Sequence, residues 1–305
     1  MLISDPLSDI LALLDARTVV TNRMEIGGDW AFTCQGVRGL KFVALSRGNA
    51  WIYSDEIAPL FLQSGDVLLL SGNRPYVLAS SLETRPIDIS TVIPEAADHL
   101  SSSSEITDTY LLGGRVLLEE TRAPLLLDVL PAIVHLDATD QNAVLIRWLI
   151  ERLGHEFKEA RAGAALASAQ LAQLILLHLL RGHLERGGGD LRGWLSGLSD
   201  EHIARALELM HRDAAHDWTL DQLARSVGMS RTAFTLRFRK IMEMAPIAYL
   251  TQWRMQLAER EIRDGRKPVG AIGRSVGYAS ESAFTTAFRR QFGLSPKRYM
   301  KERGS

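Results

Sequence analysis

The chain has 305 residues, of which 46% are hydrophobic and 23% are charged, and its formal net charge is −1. This length allows two domains with separate cores, and this composition is typical of a soluble globular protein. No apolar run reaches a membrane span, the first residues lack the basic segment of a secretory signal peptide, and a single cysteine, Cys34, excludes an intrachain disulfide. We therefore expect a cytoplasmic protein with no membrane partner.

The charge is unevenly distributed along the chain. From Ser199 onward there are 19 Lys+Arg and 12 Asp+Glu, a net of +7, whereas the preceding residues contain 16 and 24, a net of −8. A basic domain suits a polyanion such as nucleic acid, and an acidic one is repelled by it. Uneven surface charge without functional meaning is the alternative, and charge alone does not separate the two.

The first two thirds of the chain predict a β domain followed by helices. Residues 1–20 have apolar side chains at helical spacing and predict a short helix. Over 27–136, short apolar runs such as LKFVAL, DVLLL and RVLLEE alternate with turn residues, which predicts an antiparallel sandwich or barrel. Helices are expected at roughly 139–160 and 163–185, the second apolar nearly all round and so buried, in part against a partner chain. RGGGD at 186–190 predicts a hinge.

The last third contains an internal repeat. RSVG at 225–228 recurs at 274–277, an offset of 49, and one extra residue in the second copy makes the offset 50 from there on. The pairs that keep this register are Ser230/Ser280, Phe234/Phe284, Phe238/Phe288, Arg239/Arg289, Pro246/Pro296 and Tyr249/Tyr299. Chance does not preserve such a register, so the unit is duplicated.

Each copy predicts a helix, a tight turn and a second helix. Gly228 and Gly277 stand where the first helix ends, and Ser230 and Ser280 are N-caps for the second. That second helix buries phenylalanines and exposes Thr, Ser and Arg, the chemistry that reads a DNA major groove. Two helical hairpins with solvated outer faces are the alternative, which two copies in register on a basic domain disfavour. The predicted DNA-contact residues are Ser230, Arg231, Thr232, Thr235, Leu236, Arg239, Lys240, Ser280, Glu281, Ser282, Thr285, Thr286, Arg289 and Arg290.

Residues from about 202 to 303 resemble the DNA-binding domain of AraC/XylS-type transcription regulators. The motifs that carry the resemblance are WTLDQLARSVGMS, AYLTQWRMQLAER and VGYASESAFTTAFRRQFGLSPKRYM. The resemblance implies a two-lobed, seven-helix domain whose third and sixth helices enter successive major grooves. Leu236 and Thr286 stand where the family commonly has Arg, and we assign Met244 to a position that is usually Gly. Base readout is therefore expected to lean on Thr232, Thr235, Ser282, Thr285 and apolar contacts with thymine methyls, and phosphate contact on Arg239, Lys240, Arg289 and Arg290.

The segments PLFLQSGDVLLLSGNRPYVL and LLDVLPAIVHL resemble the cupin-type sensor domain of many such regulators. Metal-binding cupins place histidines in paired strands, but Phe42 and Tyr76 stand near those places here, and His99 and His135 are far apart. We therefore expect no metal, no cofactor and no enzyme activity, while a barrel remains an ordinary place for a ligand pocket. The candidate effector-pocket residues are Trp30, Trp51 and Tyr76; the tryptophans are equally good core residues.

Two further predictions concern reactive side chains. Cys34 is either a redox-sensitive thiol or a buried small hydrophobe, and the second is the commoner role of a lone cysteine. His211 and His216 flank acidic residues, and we expect both at the surface.

The predicted fold has two domains: an N-terminal all-β cupin-like barrel plus helices, and a C-terminal all-α domain with two helix-turn-helix units. The boundaries are a cupin-like sensor domain over 1–138, a helical dimerisation segment over 139–185, a linker over 186–198 and the DNA-binding domain over 199–305.

The predicted function is that of a sequence-specific transcription regulator, a homodimer whose N-terminal domain responds to a small molecule or stress signal. Its expected partners are double-stranded promoter DNA and an unidentified small-molecule effector, with RNA polymerase as an open candidate. Two alternatives stay open. One is a metal-dependent cupin enzyme with an appended DNA-binding domain, against which the missing histidine pairs argue. The other is a metal-free degenerate barrel that only dimerises a constitutive DNA binder.

Overall fold

The computed structural model describes residues 5–14, 17–36, 39–72, 74–92, 99–101, 108–119, 122–139, 143–159, 161–186 and 191–303. The chain divides into two compact units. One is Asp15–Leu191, called the barrel unit below; the other combines Met1–Leu14 with Arg192–Ser305 and is called the helical unit. The chain therefore passes between the units twice.

The barrel unit is built on two sheets. Its strands are β1 (Arg17–Ile26), β2 (Ala31–Cys34), β3 (Leu40–Arg47), β4 (Asn49–Tyr53), β5 (Leu60–Gln63), β6 (Val67–Ser71), β7 (Tyr76–Ala79), β8 (Ile87–Asp88), β9 (His99–Ser101), β10 (Thr109–Leu117) and β11 (Ile133–Leu136). One sheet has the order β11-β6-β3-β10-β1-β9 and the other β5-β4-β7-β2-β8. The pairings are antiparallel except β1 with β9 and β2 with β8. The apolar residues that alternate along the strands meet between the sheets, where both contribute to one core cluster.

A buried aspartate, Asp66, connects the turn between β5 and β6 to β11 and the segment that follows it. Asp66 follows Gly65, whose φ of +99° requires glycine. Its carboxylate accepts hydrogen bonds from the backbone amides of Gln63 and Ala138, and lies 3.1 Å from His135 Nε2. Burial alone would raise the pKa of Asp66, but His135 and the two amides hold it below its usual value. His135 is thus bound to a carboxylate in the sheet.

Among the described residues, three α-helices complete the barrel unit: α2 (Pro124–Leu127), α3 (Ala143–Glu159) and α4 (Ala164–Glu185). Helices α3 and α4 pack on each other, and α4 lies on β1 and β11. The approach is close because Gly182 has no side chain: a Cβ there would lie 2.7 Å from Leu136 Cδ2. The segment predicted as a separate dimerisation element is therefore part of the barrel unit. By length and composition alone, α4 is also a candidate membrane span, with 33% of its most apolar window buried.

The helical unit contains α1 (Pro6–Leu13), α5 (Gly193–Leu198), α6 (Glu201–Arg212), α7 (Leu220–Ser226), α8 (Arg231–Met242), α9 (Pro246–Asp264), α10 (Val269–Ser275), α11 (Glu281–Phe292) and α12 (Pro296–Arg303). This division differs from the predicted boundaries at two further places. Helix α1 packs on α6 and α9 through Leu7, Ile10 and Leu13, although the prediction placed it in the sensor domain. Helix α5, predicted as linker, packs on α8, and a Cβ at Gly197 would lie 2.6 Å from Met242 Sδ.

The predicted helix over 1–20 is shorter than expected. The structure ends α1 at Leu13 and begins β1 at Arg17. The β-branched run TVVT at 18–21 favours a strand, and pairing with β10 provides its hydrogen bonds.

Candidate DNA-binding surface

The first helix-turn-helix is formed by α7 and α8. Thr219 and Gln222 form a capping box that begins α7. The turn passes through Gly228, with φ +69°, and Ser230 Oγ accepts the Ala233 amide at 3.2 Å to begin α8. Local sequence therefore fixes both helix starts and the turn between them, as the repeat predicted.

The second helix-turn-helix is formed by α10 and α11 in the same way. Gly277 has φ +85°, and Ser280 Oγ accepts the Ala283 amide at 3.2 Å. Helices α10 and α11 approach closely at Gly273, where a Cβ would lie 3.0 Å from Phe284 Cγ. Phe284 and Phe288 are fully buried, as are their repeat partners Phe234 and Phe238.

The two second helices present matching outer surfaces. Over the ten positions 231–240 and 281–290, the order of exposed, intermediate and buried residues is the same except at Arg237 and Ala287. The predicted contact residues that are exposed are Ser230, Arg231, Thr232, Leu236, Arg239, Lys240, Ser280, Glu281, Ser282, Thr286, Arg289 and Arg290, and the partly buried ones are Thr235 and Thr285. The outer face is thus formed by the residues that the periodicity assigned to it.

Charged groups on these helices divide into paired and available ones. Arg237 is held by Asp200, with Nη2 at 2.6 Å from the carboxylate, and is therefore directed away from the outer face. Burial alone would raise the pKa of Asp200, but Arg237 and the Ile203 amide hold it below its usual value. Among the described residues, no carboxylate pairs with the candidate phosphate contacts Arg239, Lys240, Arg289 and Arg290, while Arg231 lies 3.4 Å from Asp221 and Glu281 lies 4.0 Å from Lys297.

The residue that ends α8 differs from the one that the sequence indicated. The left-handed residue that ends α8 is Glu243, with φ +57°, and its repeat partner is Gly293, with φ +76°. The family glycine position therefore corresponds to Glu243 and not to Met244. A non-glycine residue in this conformation costs roughly 1 kcal/mol.

Helix α9 joins two lobes, the first formed by α5–α8 and the second by α10–α12. Its 19 residues span about 28 Å at 1.5 Å per residue. Near its start, Tyr249 packs on Phe238 and its hydroxyl lies 2.8 Å from His211 Nε2. Near its end, the fully buried Glu259 accepts a hydrogen bond from the Tyr299 hydroxyl at 2.8 Å. Helix α9 is thus part of both lobe cores.

His211 is buried, contrary to the surface position expected from sequence, whereas His216 is exposed as expected. The His211 ring stacks on Trp253 with ring centroids 3.8 Å apart, and His211 Nδ1 lies 3.2 Å from the carboxylate of Asp9 on α1. Burial lowers the pKa of His211, and Asp9 opposes this only in part. Sequence reasoning missed the cluster because Asp9 is 202 residues away. The only local indication was the position of His211 on the apolar face of α6.

The candidate effector-pocket residues do not form one pocket. Trp30 and Tyr76 are buried in the core cluster between the sheets, and Trp51 lies outside it, against Phe61. Two small cavities lie near these residues. Cys34 and Lys41 line part of the first, and Lys41 and Tyr76 line part of the second. Each has a volume of about 10 Å³, which is room for about one water.

A larger cleft of about 460 Å³ lies where the ends of β1, β3 and β10 face α3. Its lining residues are Glu25, Ser46, Arg47, Tyr110, Ile150, Glu151, Gly154 and His155. Among the described residues, no group of three or more His, Cys, Asp or Glu is arranged to hold a metal ion.

Comparison with known proteins identifies the chain. Residues 5–185 match the family described as Cupin, and residues 223–302 match the family described as Helix-turn-helix domain. A protein of Streptomyces antibioticus described as an AraC-like transcription regulator is 38% identical over 298 residues, which cover 97% of this chain and 98% of that protein. The transcriptional regulator AlkR of Acinetobacter baylyi is 26% identical over 90% of this chain and 92% of its own length. The DNA-binding domain of AdpA, solved in complex with a target DNA, is 27% identical, with a TM-score of 0.33, and covers 34% of this chain and 93% of that one.

A cupin-like domain joined to a duplicated helix-turn-helix domain defines a DNA-binding transcription regulator. With full-length relatives at this identity, the chain belongs to the family of AraC-like transcription regulators.

Proposed function

We propose that both helix-turn-helix units read bases in adjacent major grooves of a promoter, through the outer faces of α8 and α11. The observation that carries this is the common exposure register of the two helices, which places equivalent side chains on equivalent surfaces. The exposed hydroxyls and Leu236 contact base edges and thymine methyls, and the unpaired guanidinium and ammonium groups contact phosphates. This DNA-binding function requires no catalysis by the chain. It places the protein in the cytoplasm, together with promoter DNA.

The test is selection of the full-length protein on random duplexes at two salt concentrations. We expect two enriched half-motifs about one helical turn apart and an affinity that falls steeply with salt. A single half-motif would restrict base reading to one lobe. Weak, sequence-independent binding would contradict the proposal.

We propose that the regulator is a dimer formed through α3 and α4. These helices expose large apolar side chains to solvent, and Trp148 is 56% exposed. The others are Leu145, Leu166 and Leu174. Several large exposed apolar side chains on one helical hairpin are typical of an interface. A dimer interface also accounts for the apolar composition of α4, because another face of this helix packs on the sheet.

Sedimentation of Trp148→Glu tests the dimer. A buried, unpaired carboxylate at an interface is strongly unfavourable, so we expect a monomer at concentrations where the parent protein is dimeric. Leu82→Glu is the control, because Leu82 is also a large exposed apolar residue of the barrel unit but lies outside these helices. A monomeric parent protein, or a dimeric Trp148→Glu variant, would contradict the proposal.

We propose that the effector binds the cleft between the barrel and α3. Its volume of about 460 Å³ is within the range of small-molecule sites, whereas the two core cavities hold no more than water. Its carboxylates, guanidinium and imidazole suit a small polar molecule that has both donor and acceptor groups. A ligand there contacts β3 and α3 at once, so it can favour one arrangement of the dimer helices over another.

A thermal-stability screen with small polar molecules tests this site. A ligand of the cleft should raise the melting temperature and change operator affinity, and Glu151→Ala should remove both effects while Glu83→Ala, at an exposed residue outside the cleft, should not. If no molecule changes either property, the barrel only dimerises a constitutive DNA binder. Transcription in vitro with purified RNA polymerase then determines the sign of regulation.

A further inference from the structure

The loop between α6 and α7, in the first lobe, is held by a side chain of the connecting helix. Arg254 of α9 donates from Nε to the Ala214 carbonyl at 2.6 Å and from Nη2 to the His216 carbonyl at 2.7 Å. Two hydrogen bonds from one planar guanidinium fix the direction of the loop relative to α9. Ala214 is buried.

The turn of the second helix-turn-helix packs on the same loop. A Cβ at Gly277 would lie 2.5 Å from the Ala215 carbonyl oxygen and 3.0 Å from Arg254 Nη2. Its repeat partner Gly228 has a similar positive φ, but nothing lies within 4 Å of its Cβ position. Glycine is therefore needed for backbone conformation in both copies, and for the close approach of the two lobes only in the second.

From this contact we infer that Arg254 and Gly277 lock the second lobe against the first and so set the spacing at which the two recognition helices meet DNA. The first half of α9 packs in the first lobe and its second half packs in the core of the second lobe, so both lobes are attached to one helix. The lock adds a direct contact between the α6–α7 loop of the first lobe and the turn of the second helix-turn-helix, which restricts movement of one lobe against the other. The inference rests on the proposed reading of DNA by both α8 and α11.

Arg254 and Gly277 are positioning residues, since neither belongs to the outer face that contacts DNA. Their effect should therefore appear in the spacing between half-motifs and not in the bases preferred within each. One base pair of extra spacing moves a half-site by about 3.4 Å and about 35° around the DNA axis. A rigid pair of lobes cannot follow such a shift, whereas a loosened pair can.

The experiment uses the full-length protein and the two half-motifs selected on random duplexes, separated by the selected spacer and by spacers one and two base pairs shorter or longer. For the parent protein we expect affinity to fall about tenfold or more per base pair of shift, as for a mismatched site. For Arg254→Met, which keeps the apolar stem and loses both hydrogen bonds, we expect this penalty to shrink to about threefold or less. Gly277→Ala should behave in the same way.

Two control variants separate the lock from other effects. Gly228→Ala carries the same strain of alanine at positive φ without a contact between lobes, so its spacing preference should match the parent protein. Arg254→Lys keeps the charge but lacks the planar fork whose Nε and Nη2 reach the two carbonyls, so it should lose the preference as Arg254→Met does. If Arg254→Lys instead restores it, the charge and not the lock is responsible.

The outcomes are distinguishable from those of the DNA-reading proposal. If the parent protein selects no pair of half-motifs, the proposed function fails. If it selects a pair with a strict spacing, and folded Arg254→Met keeps that spacing, the lock is refuted while the function stands. Circular dichroism and melting temperature establish that each variant is folded. If Gly277→Ala does not fold, the two Arg254 variants decide.

Discussion

Leu236 offers the sharpest test of base reading, because an apolar side chain stands at the centre of the outer face of α8. It is 64% exposed in the protein without DNA, where it contributes little to folding. Complete burial of a leucine side chain is worth about 1.5–3 kcal/mol, so burial of the exposed part against a thymine methyl is worth about 1–2 kcal/mol. Leu236→Ala should therefore weaken operator binding roughly 5- to 30-fold.

Fluorescence anisotropy on the selected operator and on an unrelated duplex, at several salt concentrations, measures this loss. The stability of the variant should change by less than about 0.5 kcal/mol, and the dependence of affinity on salt should stay the same because no charge is removed. Leu82→Ala, an exposed leucine of the barrel unit, serves as the control and should bind as the parent does. Unchanged affinity of Leu236→Ala, or an equal loss on unrelated DNA, would refute the assignment of Leu236 to base contact.

Three further predictions concern charge and titration. Arg289→Ala should weaken binding to all duplexes alike and lower the slope of log affinity against log salt by about 1, and a slope that does not move would exclude a phosphate contact. Burial lowers the pKa of His211 in the folded protein. The contribution of neutral His211 to stability should therefore be fully present above the pKa of histidine in the unfolded chain, about 6.5, and the melting temperature should fall as pH drops below that value. His211→Gln should lose this dependence and His216→Gln should keep it; a protein stabilised by acid would show that protonated His211 pairs with Asp9 instead. Burial raises the pKa of the Cys34 thiol, so a thiol reagent should modify it far more slowly in the native protein than in denaturant, and comparable rates would favour the redox-sensor alternative.

The helix-turn-helix units were predictable because their determinants are local. Ser230 and Ser280 cap the helices, Gly228 and Gly277 allow the turns, and the apolar period defines which face is buried. All of these lie within a few residues of each other, and duplication shows each twice. The structure confirms an all-α domain with two such units, and a barrel of the cupin kind before it.

Other features were not predictable because their determinants are distant in sequence. The spacing of apolar residues in α1 indicates that Leu7 and Ile10 are buried, but it does not indicate that α6 and α9 bury them. In the same way, an arginine in α9 does not reveal that Ala214 and His216 accept its hydrogen bonds 40 and 38 residues away. The cleft was the feature hardest to predict from sequence, because Glu25, Arg47 and Glu151 come together only when the strand ends face α3.

Helix α9 links the cluster around His211 to the core of the second lobe. It contributes Tyr249 and Trp253 to the cluster around His211, and Glu259 to the core of the second lobe. Helix α1 covers that cluster through Asp9, and only residues 15 and 16 separate its final turn from β1 of the barrel unit. In the proposed response to an effector, the barrel unit has two covalent connections to the DNA-binding lobes, one after residue 14 and one after residue 191. The first connection leads into α1, which packs on α9, so we propose the N-terminal segment as a second route beside the expected hinge, of which residues 187–190 lie outside the described residues.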